Sequence, residues 1–471
     1  MNKNNNLDID NKIKDMFNEQ IEIPEVVNIK SVEAYDMLRE VNRNKESKIR
    51  KIKPIKVVAS IAVISTLTIT TTFAVGYIID YFNHNKQSLY LADKNDFEKT
   101  SNNVNLTVKD KGIEFTIDSI SIDDNYITVF HTSKSTKKIK RIDENYDDAY
   151  FSNPIIDAYI DGESIMRAGL IEHEATYVSD NELKGMQKID VSSFNIDNND
   201  EIEFRVNEIF GIEGSWVISA KIDKSKAIES TYNYNINKDY TIKQTYDYND
   251  EKVDVKHNIN VDKVTISPLA NTILINEKIT KYFDDWSPML GNSFALFDDE
   301  NNSLDVLDKG GVAPSTGIAS NSYEFLRASK DTKSLTLVPI SFDYSIENKE
   351  LEPQSIDNLP IVFKTSEYGK FVVEDIKITD KEIKYTYYKD GVVPGYLTLW
   401  FYDENGNEIQ SSSSVKESLD RHTGRYTTIL NLEGHKNDIS KIRSINKVST
   451  YSNSDMKLLY DEQIKIPLTN N

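Results

Sequence analysis

The sequence predicts a mainly β protein: a short α-helical cytosolic segment, one transmembrane helix, and two or three immunoglobulin-like β-sandwich domains outside. Three observations predict it. Residues 57–79 form a run with no charged side chain, fenced by Lys56 and Asp80. Basic residues crowd the N-terminal side of that run. Beyond residue 104 the chain alternates apolar and polar residues in short stretches rich in β-branched and aromatic side chains. Asn, Asp and Gly punctuate these stretches at the spacing of sandwich strands.

The N-terminal segment, 1–56, reads as two short amphipathic helices. Ile9, Ile13, Met16 and Phe17 recur at helical spacing, with Asp8 as N-cap. Pro24 interrupts the pattern. A second helix fits 31–45, with Ala34, Met37, Leu38 and Val41 on one face. So small a segment buries little by itself. The two stripes therefore need a partner, which is each other, the bilayer surface or another protein. These eight residues are the candidate partner-binding set.

A helix of about 20 apolar residues crosses a bilayer, and residues 57–79 are long enough. Arg39, Arg43, Lys45, Lys48, Arg50, Lys51, Lys53 and Lys56 precede the run; only Lys86, Lys94 and Lys99 follow it before residue 100. Lys and Arg stay cytoplasmic, so the N-terminus is expected in the cytoplasm and the C-terminal region outside the cell. A cleaved signal peptide is the competing reading, with Thr72-Phe73-Ala74 as its cleavage site. Cleaved signals span about 15–30 residues in total, whereas this apolar run begins only at residue 57.

Charge and cysteine content narrow the functions. The chain of 471 residues carries a formal charge of −20. Residues 1–56 hold twelve Lys or Arg and ten Asp or Glu, a sum of +2, so the remainder carries −22. Nucleic-acid binding needs a clustered basic face, and none is expected. There is no cysteine, which removes disulfides, thiolate metal sites and cysteine nucleophiles.

A polar stalk, 80–103, is expected before the strands. Three strand pairs then resemble one another. They begin at Gly112-Ile-Glu-Phe-Thr-Ile-Asp, Val253-Asp-Val-Lys-His and Gly369-Lys-Phe-Val-Val-Glu-Asp. A strand running into an acidic turn follows each pair, at 155–165, 294–304 and 397–409. The simplest account is three related sandwiches at 104–227, 228–365 and 366–471, with fusion of the first two as the alternative.

No catalytic constellation survives inspection, and an enzyme is not expected. His173-Glu174 opens like a zinc-protease motif, but position 177 is Tyr. Ser135-Thr-Lys-Lys138, Ser179-Asp180-Asn181 and Lys364-Thr365-Ser366 follow the order of a penicillin-binding signature without its helix. The acidic turns 143–148 and 298–305 offer oxygen ligands but lack EF-hand spacing. Solvated turns explain them more simply. Gly310-Gly311 reads as a loop between strands, and Trp216, Trp286 and Trp400 as core or core-edge residues. Neither cofactor nor metal is expected.

The order "I-x-x-M-F … I-P-E-V", a basic segment, one apolar run and "G-I-x-F-T-I-x-S-I-S-I-D-x-N-Y-I" resembles a Gram-positive family of single-pass membrane proteins of unknown function (DUF4179-like). The resemblance covers about residues 9–135. Family members are often encoded beside extracytoplasmic-function sigma factors, so the resemblance implies an anti-sigma factor with a sigma factor as its cytosolic partner. The C-terminal sandwich resembles a second immunoglobulin-like domain of unknown function that often accompanies the first. One departure bears on mechanism: zinc-binding anti-sigma domains use His and Cys, and residues 1–83 contain neither. The alternative is a surface-anchored binding or structural module with an unknown extracellular ligand.

Overall fold

A computed structural model describes residues 97, 100–140, 149–166, 172–248, 251–281, 294–343, 345–433 and 435–469. The expected helices in 1–56, the apolar run 57–79 and most of the stalk lie outside the described residues. Among the described residues no helix is long and apolar enough to cross a membrane. The described residues all fall within one compact unit.

Within this unit the described strands form three two-sheet sandwiches, and every named pairing is antiparallel. In the first, β1 (Ser101–Asp110), β2 (Ile113–Ile122), β3 (Tyr126–Ser135), β6 (Glu172–Ser179) and β7 (Glu182–Asp190) run in the order β1-β2-β3-β7-β6. The facing sheet holds β4 (Asp157–Ile160), β5 (Glu163–Ser164), β8 (Glu201–Ile209) and β9 (Ile212–Lys221), in the order β5-β4-β8-β9. Thus β1 already occupies the last residues of the expected stalk. The hairpins β4–β5 and β8–β9 turn through Asp161-Gly162 and Phe210-Gly211, all four at positive φ. Such turns match the twist of the flanking strands, and glycine adopts them without steric cost. Ile117, Ile127, Phe204 and Trp216 fill the core between the sheets.

The second sandwich repeats this order. Strands β10 (Tyr232–Tyr248), β11 (Glu251–Ile266), β12 (Asn271–Ile279), β15 (Val306–Ser315) and β16 (Ile318–Phe325) run β10-β11-β12-β16-β15. Its facing sheet contains β13 (Phe294–Phe297), β14 (Ser303–Leu304) and β17 (Ser334–Phe342). In the third, β19 (Ile361–Lys364), β20 (Gly369–Ile378), β21 (Glu382–Gly391), β23 (Ser414–Asp420) and β24 (Arg425–Asn431) run β19-β20-β21-β24-β23. They face β18 (Gln354–Ser355), β22 (Trp400–Tyr402) and β25 (Lys447–Ser449).

The three copies share a defect as well as an order. Each repeated strand pair shifts register once, between Ile117 and Ser119, Val261 and Lys263, and Val373 and Asp375. The residue in each gap is acidic: Asp118, Asp262 and Glu374. A bulge bends its strand and increases local twist. The acidic turn recurs too. Asp298 accepts from the Asn302 amide at 2.8 Å, and Asp403 accepts from the Asn407 amide at 2.9 Å.

The domain boundary expected at 365/366 is not where the chain divides. Strands β18 and β19, before residue 366, belong to the third sandwich, and the chain's last strands leave it. Strands β26 (Met456–Leu458) and β27 (Ile464–Pro467) both pair with β17 of the second sandwich. Ile464, Ile466 and Leu468 complete its core. The third sandwich is therefore inserted between β17 and β26, and the chain crosses between the two sandwiches twice.

Gly310 and Gly311 are not in a loop. They lie on edge strand β15, opposite Ser322 and Asn321. A Cβ on Gly311 would come within 2.2 Å of the Asn321 side-chain oxygen and 2.6 Å of the Ser320 carbonyl, so glycine permits the close pairing. Trp216 is fully buried and donates its indole N–H to the Ile113 carbonyl at 3.1 Å. Trp400 is 38% exposed and meets Tyr451 edge-on. Trp286 lies outside the described residues.

Candidate functional site

The densest buried polar chemistry lies where the three sandwiches meet. Glu324, near the end of β16, is its hub. Its carboxylate takes the Lys188 ammonium of β7 at 2.7 Å and the Arg421 guanidinium of the β23–β24 turn. Each partner comes from a different sandwich. The Lys188 and Glu324 side chains are 4% and 1% exposed. Lys188 also sits 4.1 Å from the centre of the Tyr126 ring, a second stabilisation of its charge. Charges removed this far from water persist only when paired and hydrogen-bonded.

The β2–β3 turn docks beside this hub. Asn125 donates to the Ala270 carbonyl at 2.8 Å and accepts from the Thr272 hydroxyl at 2.6 Å. Asp123 accepts from the Asn125 and Tyr126 amides, both at 2.8 Å, and from the Ser267 hydroxyl. Burial pushes its carboxyl up, against these hydrogen bonds. Its neighbour Asp124 is also raised by burial, but hydrogen bonds from Lys224 and Asn233 outweigh that and hold it below the ordinary value. Adjacent carboxyls thus shift in opposite directions.

On the other flank the second and third sandwiches share Asp305, Arg327 and Lys389. Arg327 lies 3.4 Å from Asp305, which is 7% exposed. Lys389 is 5% exposed and 5.1 Å from the centre of the Tyr426 ring. Burial raises the Asp305 carboxyl and lowers the Lys389 amine, while their mutual attraction opposes both shifts. Ala295, Phe297, Val338, Ile340, Met456 and Leu458 form an apolar cluster on the outer face of the second sandwich. Tyr368 and Val392 of the third sandwich pack against it.

A pocket of about 460 Å³ opens at this meeting point. Ser267, which bonds Asp123, lies on its wall, as do Phe325, Arg327 and Arg421.

The partner-binding candidates Ile9, Ile13, Met16, Phe17, Ala34, Met37, Leu38 and Val41 lie outside the described residues. Of the rejected motifs, two come together. Ser135 accepts through its carbonyl from the Asn181 side chain at 3.1 Å, and Lys138 lies 3.5 Å from Asp180. Ser135 ends a strand, and Lys364 ends β19 in another sandwich, so no penicillin-binding site is assembled. His173 lies 3.1 Å from the Asn153 side chain, close to His131. Among the described residues no group of His, Asp and Glu could hold a metal. The Asp298 carboxylate accepts from the amides of Glu300 and Asn302, which explains that acidic turn by backbone geometry. Turn 143–148 lies outside the described residues. Sequence reasoning missed Glu324, Lys188 and Arg421, since nothing local distinguishes them from solvated charges.

Fold and junction together define a class: an array of three related β-sandwiches locked at a buried ionic hub. Residues 46–135 match the family model described as a domain of unknown function (DUF4179), and residues 237–368 match that described as a family of unknown function (DUF5643). The first match takes in the uncharged run and strands β1–β3. The second falls on the middle sandwich and the start of the third, rather than on 366–471, where the sequence reading set it. No curated protein matches the chain. The crystal structure of a conserved domain protein from Bacillus anthracis is similar at 15% identity. That likeness covers 57% of this chain and 87% of that one, with a TM-score of 0.37. The N-terminal eight immunoglobulin domains of Down syndrome cell adhesion molecule are similar at 11% identity, over 77% and 47%, with a TM-score of 0.13. Neither likeness is close enough to carry an argument.

Proposed function

We propose that this chain is a single-pass membrane regulatory protein, an anti-sigma factor whose three sandwiches form an extracellular sensor. One observation carries the reading: a 23-residue uncharged run, 57–79, separates a tail bearing two apolar stripes from an acidic array of sandwiches. An inert tail has no need of two such stripes. The match over 46–135 supports it by joining the basic flank, the run and the first strands in one family unit. Binding to the sigma factor is zinc-free and uses the faces Ile9–Phe17 and Ala34–Val41.

The test is capture of a sigma factor by the full chain in detergent, compared with Phe17→Asp and Leu38→Asp. Large apolar side chains at the centre of a helix face dominate helix-in-groove binding. A charge buried there without a partner costs about 3–5 kcal/mol, so capture by either variant is lost. Failure of the unaltered chain to capture a sigma factor, together with unchanged transcripts after deletion of residues 1–45, overturns the reading. The chain is then a surface-anchored binding module.

A further inference from the structure

A second pocket, of about 380 Å³, opens where the inserted sandwich meets the returning chain, and its volume falls in the range of small-molecule sites. Three passes of the chain wall it. Asn301 comes from the β13–β14 turn of the second sandwich. Tyr368 precedes β20 and Tyr388 lies on β21, both of the third, and Tyr460 follows the returning strand β26. Arg327 and Asp390 also line the pocket, but each is already paired, with Asp305 at 3.4 Å and with Lys370 at 3.0 Å. They leave no unspent charge in it.

Lys389 of β21 lines the same pocket and differs from both. It is buried, and its ammonium faces the Tyr426 and Tyr396 rings, 5.1 and 5.6 Å from their centres. Among the described residues no hydrogen bond or ion pair reaches it, and Asp305 attracts it only from a greater distance. Buried polar groups are almost always hydrogen-bonded, and an ammonium has three donors and no acceptor. The missing partner is an oxygen acceptor. A neutral oxygen supplies it without setting another negative charge beside Asp305 and Asp390. The rest of the wall is aromatic and polar. Tyr460 is 50% exposed, Tyr368 is half-buried, and Arg425 covers one face of the half-buried Tyr388 at 5.8 Å. A tyrosine presents an apolar ring face and a polar tip. The Asn301 amide and the Tyr460 hydroxyl make no hydrogen bond among the described residues.

We infer that this pocket binds a pyranose sugar, as a mono- or disaccharide, between the second and third sandwiches. A pyranose joins the two things the wall asks for, an apolar C–H face and a ring of neutral oxygen acceptors. The C–H face stacks on Tyr460. The hydroxyls accept from the Lys389 ammonium and exchange hydrogen bonds with the Asn301 amide. Because its walls come from both sandwiches, the occupied pocket favours their present arrangement over any in which they part. The sugar's service as the external signal rests on the proposed function. Its binding does not.

The experiment is calorimetry and thermal melting of the full chain, in a detergent without a sugar head group, with methyl β-glucoside, diacetylchitobiose, sorbitol and hexanoate as probes. The expected result is one-to-one binding of at least one of the two cyclic sugars, with a raised melting temperature because the ligand binds only the folded chain. Sorbitol carries hydroxyls without a ring face, and hexanoate carries an oxyanion without hydroxyls. Each binds at least about tenfold more weakly. Asn301→Ala with Tyr460→Ala, two exposed positions, melts like the unaltered chain and weakens the sugar about tenfold or more. Lys389→Met removes the ammonium, and its binding is read only where its melting shows it folded. The inference is overturned if neither sugar binds by about 20 mM, if sorbitol or hexanoate binds equally well, or if either folded variant binds as before. Sugar binding without sigma-factor capture rejects only the regulatory reading, and capture without sugar binding rejects only this site.

Discussion

Lys188 of the first sandwich and Glu324 of the second meet at 2.7 Å, 136 residues apart in sequence and almost wholly removed from water. Arg421 of the third closes on the same carboxylate. One side chain therefore ties three sandwiches together, and its removal has consequences that its neighbours' removal does not.

Replacing Glu324 with Gln leaves two buried cations facing a neutral amide. Breaking a buried pair from one side costs about 3–5 kcal/mol. The variant is expected to melt earlier and to be cut by protease in the connections 223–231 and 343–353. The apolar triple variant Lys188→Met, Glu324→Leu, Arg421→Met removes these three charges together and should recover part of the loss. A Glu324→Gln chain that melts like the unaltered one shows that the hub does not hold the sandwiches together.

Removal of residues 452–471 tests the double crossing. The deleted strands come last in the chain but complete the second sandwich. Its segment 232–342 should become the protease-sensitive part, while the five-stranded sheet of the third keeps its amide protection. Ile466→Ala is the milder form. This side chain is fully buried, and its truncation costs about 2–5 kcal/mol. Loss of protection in the third sandwich first would contradict the crossing.

Asn125→Ala removes the two hydrogen bonds that the Asn125 side chain makes to the second sandwich and leaves those of Asp123 and Asp124 in place. The Ala270 carbonyl and Thr272 hydroxyl lose their partner, at a cost of about 1–3 kcal/mol for each buried group left unsatisfied. Hydrogen exchange at 267–272 should quicken, with the core of the first sandwich unaffected. Unchanged exchange there means that the turn is held by other contacts.

Acid should weaken the first sandwich through His131. Burial, assisted by His173, lowers its pKa from about 6.5 to about 3. The unfolded chain thus takes up the proton first. The contribution of neutral His131 is full above about pH 6.5 and is lost as pH falls from there toward 3. The slope is about 1.4 kcal/mol per pH unit. The ring packs 5.3 Å from Phe115, so His131→Phe keeps an aromatic in place without a titrating group. Urea midpoints between pH 7 and 5 should fall less steeply in this variant. Parallel slopes would clear His131 of the effect.

The sequence by itself determined the strands and their repetition. Alternation, β-branched side chains and Asn, Asp or Gly turns act over a few residues, so the pairs β2–β3, β11–β12 and β20–β21 and the Asp298 and Asp403 turns were legible in place. The charge pattern around 57–79 is equally local. Only the tertiary structure decided which sandwich receives β26 and β27. Ile464-Lys465-Ile466 would suit any half-covered sheet edge, and its partner β17 was selected by packing over more than 120 residues of intervening chain. The same holds for the junction. Lys188, Glu324 and Arg421 look like solvated charges because a side chain's cost of burial depends on what stands opposite it, and what stands opposite each of these comes from another sandwich.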